Sequence, residues 1–535
     1  MSAVKSLICR ECQSEYEPQA THVCDLCFGP LEVKYDYGEL ARTVSRESIE
    51  AGPKSLWRYR DLLPLNDGAE PVTLGEGMTP LVHAQRLGAE LGLSNLYLKN
   101  ETMNPTNSFK DRVVSVAVSW ARANGFDTMA CASTGNLANS VAAYSARAGM
   151  RCFVFIPADL EATKVLTTSV FAPNLVAVEG NYDEVNRLCS ELADSYHWAF
   201  ANINVRPFYA EGSKTLTYET AEQLGWKLPD EIIIPIASGC QFVKHNKAVQ
   251  ELIELELVDP GPYPRLTGAQ ALNCSPVATA FKSGTSVQPV KPNTIAKSLA
   301  IGNPSDGKYV INIANGTGGV VETATEEEIV ESIELLAATE GIFAETAGGV
   351  TVGVLRKLAR AGRWKGDETV VAYITGHGFK TVQVIPDLDR YQRTIKPSVR
   401  GIRRDLPGRQ LTPGSVENPP VQYLDFPIEI EGRPLMAVKV RVPGPLRRLT
   451  SGESVVEVDG ATVSEALDSL EAKYPGFRER IYDGDGKLRQ FVNIYKNDED
   501  IRFGSGLDTE LGQGDDLSIV PAVAGGLNCP SVGSS

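Results

Sequence analysis

Between Asn95 and Ile385, short apolar runs alternate with stretches whose apolar residues recur every three to four positions. The runs are Leu96 to Lys99, Thr128 to Cys131, Cys152 to Ile156, Leu175 to Val178, Glu231 to Ile236 and Val370 to Ile374. Short runs of this kind predict strands buried on both faces, and the stretches between them predict covering helices. The chain therefore reads as βαβ units around mostly parallel sheet, an α/β fold. Two helical stretches stand out. After Lys110, the residues Val113, Val116, Ala117, Trp120 and Ala121 fall at i, i+3, i+4, i+7 and i+8, closed by Gly125. Leu137 to Ala148 forms the second.

A different pattern follows. From Thr394 to Pro420 the composition shifts to Pro, Gly and Arg without apolar periodicity, which predicts a linker. Beyond it, Met436 to Val442, Val455 to Val458, Phe491 to Tyr495 and Leu517 to Val520 read as strands, and Thr462 to Lys473 as a helix. Strand, strand, helix, strands in about 90 residues fits a small sheet with one covered face, a ubiquitin-like grasp.

The 535 residues, 42% hydrophobic and 22% charged, are globular and too many for one core, so roughly two to four domains are expected. A net charge of −15 excludes a nucleic-acid footprint, and the short run Arg400, Arg403, Arg404 reads as a solvated linker face. No apolar run reaches membrane-spanning length, so no membrane partner is expected. Met1 to Leu7 lacks the apolar core of a signal peptide, and a cytoplasmic location is the default. Of ten cysteines, Cys9, Cys12, Cys24 and Cys27 form two CxxC pairs that can present four thiolates to one structural zinc. Two disulfides or four free thiols are the alternatives, and His22 could replace a cysteine.

Ligands in parallel sheets bind in the loops beyond the carboxyl ends of the strands, and four such loops carry suitable chemistry. Lys110 opens its helix, where partial desolvation favours a neutral amine and Schiff-base formation; the alternative is a surface lysine in a first helical turn. Ser133, Thr134, Gly135 and Asn136 open the second helix, as an anion holder or a plain N-cap. Ala237, Ser238, Gly239, Cys240 and Gln241 make a turn of mostly small residues that suits a phosphate, or a tight turn with no ligand. Thr375-Gly376-His377-Gly378-Phe379-Lys380 follows the last strand, with His377 expected to be a loop residue rather than a proton carrier.

The string Asn104-Pro-Thr-Asn-Ser-Phe-Lys-Asp-Arg112 resembles the cofactor-lysine motif of threonine synthases, with Asn107 where glycine is usual. Leu74-Gly-Glu-Gly-Met-Thr-Pro-Leu81, Asn202 to Thr215, Glu345-Thr-Ala-Gly348 and the Thr375 loop resemble further segments of that family, in its order. The resemblance spans about residues 5 to 390 and implies a fold-type II enzyme with two parallel-sheet domains, its pyridoxal 5′-phosphate held covalently by Lys110. It further implies that Asn136, residues 237 to 241 and Thr375 bind the cofactor. Ser133 and Thr134 would hold the substrate carboxylate, and Asn202, Asn204 and Arg206 its phosphate. Ala237 and Cys240 depart from the family's glycine-rich loop, and one extra residue shifts Arg206 from the usual arginine. The substrate would be a small amino acid, O-phosphohomoserine, converted with water to threonine and phosphate, and a homo-oligomer is expected.

Phe491 to Phe503, Gly506 to Asp508 and Val520 to Gly526 are similar to the MoaD/ThiS sulfur carriers, whose terminal Gly-Gly is adenylated and converted to a thiocarboxylate. Here Gly525-Gly526 is followed by Leu527 to Ser535, so the resemblance implies a processing metalloprotease and an E1-like adenylating and sulfur-transfer enzyme as partners. The expected organisation is a zinc ribbon (1–33), a catalytic region (34–392), a linker (393–432), a β-grasp carrier (433–526) and a removable tail (527–535). Two other functions stay open. A tethered carrier at high effective concentration could donate sulfur in place of water, giving cysteine, homocysteine or a related thio amino acid. Alternatively, the chain is a protein-modifier precursor with a non-catalytic scaffold half.

Overall fold

The computed structural model describes residues 3–133, 135–158, 162–179, 182–385, 437–484, 486–497, 499–512 and 514–521. The expected linker, Thr134, Gly525, Gly526 and the tail lie outside the described residues. In chain order the strands are β1 Val4–Cys9, β2 Glu15–Tyr16, β3 Leu31–Tyr35, β4 Leu81–His83, β5 Asn95–Asn100, β6 Thr128–Ala132, β7 Arg151–Pro157, β8 Asn174–Val178 and β9 Ala199–Phe200. They continue with β10 Glu231–Pro235, β11 Arg265–Ala271, β12 Val321–Ala324, β13 Thr369–Ile374, β14 Ala437–Arg441, β15 Val455–Asp459, β16 Val492–Lys496, β17 Glu499–Asp500 and β18 Asp516–Pro521.

The six apolar runs between Leu96 and Ile374 all form strands, and these sort into two sheets. A parallel four-stranded sheet, β8-β7-β6-β9, makes one lobe. A six-stranded sheet, β12-β11-β10-β13-β5-β4, makes the other and is parallel except for the edge pair β4–β5. The apolar runs are continuous because helices cover both faces: every residue of β6 and of β10 is buried. The Lys110–Ala123 and Asn136–Ala148 helices share one apolar cluster through Val113, Ala117, Val141 and Tyr144.

At the N-terminal end, β1 pairs antiparallel with β2 and β3 to form the ribbon. Leu7, Val33 and Tyr35 belong to the same apolar cluster as Val113 and Trp120, so the ribbon is packed onto the first lobe and shares its core. At the other end, β15-β14-β18-β16-β17 form a mixed sheet with β14 and β18 parallel at its centre. The Val463–Lys473 helix buries Ala466, Leu467 and Leu470 against Val438, Val440 and Ile519. This is the grasp expected from the pattern.

Between lobes and helices lies a cluster of charges with no access to water. Arg112, two residues beyond Lys110 on the same helix, is fully buried, and so are Glu101, Glu219 and Lys99. Its guanidinium donates Nε to Glu101 Oε2 (2.6 Å) and Nη2 to Glu101 Oε1 (2.8 Å), and forks onto Glu219 through Nη1 (2.5 Å) and Nη2 (2.7 Å). Lys99 Nζ donates to Glu219 Oε2 (2.8 Å), Gln223 Oε1 (2.9 Å) and the Thr79 carbonyl (2.7 Å). Two cations thus face two carboxylates, with every ammonium proton assigned. Burial pushes the Glu219 carboxyl up, but Arg112 and Lys99 outweigh it and hold it below its ordinary range. The glycine-rich segment before β4 joins this cluster: Met78 N donates to Glu219 Oε1 (2.8 Å), and Gly77 N to Asn104 Oδ1 (3.1 Å). Gly77 has φ +88°, and a Cβ there would stand 2.5 Å from the Leu56 backbone nitrogen.

Replacing Arg112 by Met leaves two buried carboxylates facing one lysine, an expected loss of about 3–5 kcal/mol. The measurement is the urea midpoint of the catalytic lobes followed by circular dichroism. An unchanged midpoint contradicts this account of the cluster.

Candidate functional site

A cavity of about 390 Å³ opens between the two lobes, lined by Lys110, Ser133, Asn136, Asn202, Arg206, residues 237 to 241 and Thr375. Loops far apart in sequence are thereby brought to one place, at the carboxyl ends of the strands. The Lys110 loop is stitched to the Thr375 loop by Phe109 N donating to the Thr375 carbonyl (2.9 Å) and His377 N donating to the Asn107 carbonyl (3.0 Å). Asn107 has φ +64°, a left-handed conformation that Asn adopts more readily than other residues with a side chain. The substitution for glycine therefore keeps the turn.

Lys110 starts its helix and donates Nζ to Tyr209 Oη (2.9 Å). Burial pushes the Tyr209 phenol above its ordinary pKa, and Lys110 opposes that shift. The next residue, Asp111, accepts from Thr106 N (2.6 Å), Thr106 Oγ1 (2.6 Å) and Ser140 Oγ (2.7 Å), fixing the turn that aims Lys110. Its carboxyl is pushed up to about 6, because burial outweighs those donors.

Residues 237 to 241 pass from β10 into the Cys240–Glu254 helix, which has no side-chain cap. Cys240 N makes a long hydrogen bond to Ser238 Oγ (3.4 Å), and the next N–H groups, of Gln241 and Phe242, are placed to hold an anion. Gly239 has φ +93°, and a Cβ there would lie 2.8 Å from Val310 Cγ2 and 3.0 Å from Asp306 Cβ. Only glycine fits this close approach. Ala237 and Cys240 matter less than their departure from a glycine-rich loop indicates, since the donors are main chain. Arg206 is buried, and its Nη2 donates to Asp306 Oδ2 (2.5 Å) while its buried Nε has no protein partner among the described residues. The shifted register therefore still carries this arginine to the cavity.

Asn204 is placed differently from the expectation. Its Oδ1 accepts from Phe200 N (2.8 Å) and its Nδ2 donates to the Trp198 carbonyl (2.9 Å), so its amide is spent on its own turn and it does not line the cavity. Asn136 lines the cavity with its Nδ2 donating to both oxygens of Glu345 (3.1 and 2.9 Å). Glu345 also sits at the N-cap of the Thr346–Arg360 helix, so the helix terminus and the site are the same feature. His377 Nδ1 accepts from Phe379 N (3.1 Å) and its ring packs at a tilt against Phe379 (centroids 4.4 Å apart, planes at 30°), the behaviour of a loop residue. Tyr209 and Lys380 also line the cavity and were given no individual role from sequence. Lys380 Nζ is buried without a protein partner among the described residues, and burial pushes its pKa down against the pull of Glu345 and Asp111. The first signal for it was the spacing in the Thr375 loop.

A pyridine ring with a phosphate arm fits these residues. The uncapped helix and the Gly239 turn offer a cradle for the phosphate, and Thr375, just past the end of β13, and Lys110 line the same cavity.

The ribbon gathers Cys9, Cys12, Cys24 and Cys27 so that all four sulfurs lie within 4.8 Å of one another, and His22 is outside the cluster. Sγ–Sγ separations of 3.5 Å for Cys9–Cys27 and for Cys12–Cys24 compare with about 3.8 Å for a tetrahedron with 2.3 Å zinc–sulfur bonds. No disulfide joins the described cysteines. The cluster is compatible with zinc. No helix among the described residues is long and apolar enough to cross a membrane.

The Pyridoxal-phosphate dependent enzyme family matches residues 72–376, and the ThiS family matches residues 440–526. A threonine synthase of Methanocaldococcus jannaschii is 38% identical over 376 residues, covering 70% of this chain and 92% of that protein. A threonine synthase of Methanosarcina acetivorans is 36% identical over 407 residues, covering 75% and 99%. Among solved structures, a fungal L-serine ammonia-lyase from Rhizomucor miehei superposes with a TM-score of 0.50 at 19% identity, over 59% of this chain and 97% of that one, a likeness of fold alone.

Metal analysis of the purified chain is expected to give one zinc per chain, and Cys24→Ser to lose it together with the ribbon's share of thermal stability. His245, behind the cradle, bonds Thr217 Oγ1 through Nδ1 (2.6 Å), and burial, with Arg112 adding to it, pushes its pKa down to about 3. The folded state keeps this ring neutral while the unfolded chain protonates it near 6.5. The stability it contributes is complete above that value and is lost as pH falls toward 3. NMR titration of His245 should show no protonation between pH 8 and 5; a midpoint near 6.5 contradicts the buried neutral ring.

Proposed function

Because the chain belongs to the pyridoxal-phosphate dependent enzyme family and carries a ThiS-family domain behind it, we propose that it is a threonine synthase that converts O-phosphohomoserine and water to threonine and phosphate. The observation that carries this reading is the charge of the cavity. Lys110, Arg206, Lys380 and an uncapped helix N-terminus line it, against Glu345 as the one carboxylate among the described lining residues. A cofactor phosphate, a substrate phosphate and a substrate carboxylate together call for that excess.

In this reading residues 237 to 241 hold the cofactor phosphate through main-chain N–H groups, and Thr375 offers a neutral hydroxyl to the ring nitrogen. Bound pyridoxal phosphate supplies the electron sink for the reaction. Ser133 and its helix N-terminus hold the substrate carboxylate, while Arg206 and Asn202 hold the substrate phosphate and orient it as a leaving group. Lys110 Nζ carries protons between substrate carbons, with Tyr209 Oη as its hydrogen-bond partner. The ribbon holds zinc in a structural role, and the enzyme works in the cytoplasm.

A second reading is favoured by the carrier domain itself. If Leu527 to Ser535 is removed by a metalloprotease, and Gly526 is then adenylated and converted to a thiocarboxylate by an E1-like enzyme, sulfur replaces water as the nucleophile. Product analysis with O-phosphohomoserine, in water and then with the processed thiocarboxylate, separates the two. Threonine and phosphate in both supports the first reading. A thio amino acid formed only with the thiocarboxylate replaces it with the second. Lys110→Ala should abolish turnover and the visible absorbance of the bound cofactor, whereas Arg206→Ala should raise KM about a hundredfold, as expected for a lost charge-assisted pair worth about 3 kcal/mol.

A further inference from the structure

The ThiS-family domain touches three separate parts of the catalytic half. Arg448 Nη1 pairs with Asp25 Oδ2 of the ribbon (2.7 Å). Gly444 N donates to Asp194 Oδ2 (3.2 Å) and the Asn497 carbonyl accepts from Arg187 Nη1 (3.1 Å), both on a helix of the four-stranded lobe. Asn493 Oδ1 accepts from Asn303 Nδ2 (3.2 Å), and Phe491 stacks on Tyr309 with centroids 6.2 Å apart and planes 13° apart, both on the six-stranded lobe. The ribbon's contribution is the most committed. Phe28, one residue past the last metal-ligand cysteine, is 1% exposed and belongs to the apolar core of the ThiS-family domain. Its backbone has φ +57°, a strained conformation for a bulky residue that persists only where packing holds it. The metal knuckle thus presents an aromatic plug to the carrier.

From this face a continuous set of contacts runs into the cavity. Tyr309, stacked on Phe491, donates its hydroxyl to Glu11 (2.6 Å) and carries the Arg10 guanidinium over its ring at 5.2 Å. Arg10 Nη1 donates to Asp306 Oδ1 (2.7 Å), and the other oxygen of Asp306 takes Arg206. Asp306 N also donates to the Ser238 carbonyl (2.9 Å), at the cradle. Arg10 is also held from its other side by Glu32, through Nε (3.1 Å) and Nη2 (3.0 Å), so it divides itself between Glu32 and Asp306 while Asp306 divides itself between Arg10 and Arg206; the Arg206 Nε without a protein partner among the described residues is where a ligand can use the charge that Asp306 does not cancel. If Arg10 withdraws onto Glu32, Asp306 pairs with Arg206 alone and the cavity loses that charge.

We infer that the ribbon and the two lobes form a docking platform for the chain's own ThiS-family domain, and that docking sets the affinity of the cavity for the anionic end of its substrate. Arg10 and Asp306 are positioning residues acting through Arg206. The inference rests on the assignment of Arg206 to the substrate phosphate. Because coupling is reciprocal, an anion bound at Arg206 must also tighten the docked domain.

The test uses the full chain loaded with cofactor and inorganic phosphate as the probe. Hydrogen exchange is expected to slow across residues 491 to 496 when phosphate is added. Phe28→Asp on the ribbon, and separately Tyr309→Ala on the lobe, should speed exchange across those residues and weaken phosphate binding about tenfold by calorimetry. With O-phosphohomoserine as substrate, KM should rise by a similar factor and kcat stay within about twofold. Variants that undock the domain while phosphate binding stays unchanged overturn the inference, and so do variants that leave exchange unchanged. If phosphate binds and couples as expected but O-phosphohomoserine is not turned over, the docking inference stands and the threonine-synthase reading fails.

Discussion

The buried Arg112 is the constraint on which the catalytic half depends. A guanidinium removed from water is tolerated only where carboxylates match its fork, and here two of them do, Glu101 at the end of β5 and Glu219 on the Lys214–Gln223 helix. Because Arg112 and Lys110 share the first turn of one helix, any displacement of the ion cluster displaces the amine. The glycine-rich segment before β4 is bound to one of these carboxylates, Glu219, which gives that motif a role its spacing alone did not supply: its main chain helps to close the cluster.

What could be read from the chain divides along a physical line. Strands such as Ile232 to Ile234 advertise themselves because burial on both faces demands continuous apolar side chains. β11, with the sequence Arg-Leu-Thr-Gly-Ala-Gln-Ala, and β12, Val-Glu-Thr-Ala, escaped notice because polar side chains interrupt their apolar runs, and in β11 two of these find partners in other segments. Gln270 Oε1 takes the N–H groups of Val277 and Ala278, and Thr267 donates to Glu231. Periodicity cannot register a polar residue whose partner is in another element.

The same line runs through the site. That Lys110 begins a helix, that residues 237–241 turn from a strand into a helix and that Thr375 follows a strand was legible, because local sequence determines such junctions. Asn204 was misplaced because an asparagine's amide serves a backbone turn as readily as a ligand, and only the fold shows which. Tyr209, Lys380 and the pairing of Asn136 with Glu345 were not legible, since each is decided by packing between segments 99 to 209 residues apart or by burial. The ribbon's cysteines were read as a self-contained module, yet the strands around them contribute to the core of the first lobe.

Phe28 has a consequence for how the chain is made. The ribbon leaves the ribosome first, while the domain that covers its aromatic plug follows about 460 residues later, a delay of roughly 25–90 s at ordinary elongation rates. For that interval an apolar side chain held in a strained conformation faces solvent on an otherwise finished module. The four-cysteine knuckle must therefore be stable enough to keep its shape unaided until the domain that covers Phe28 has been made.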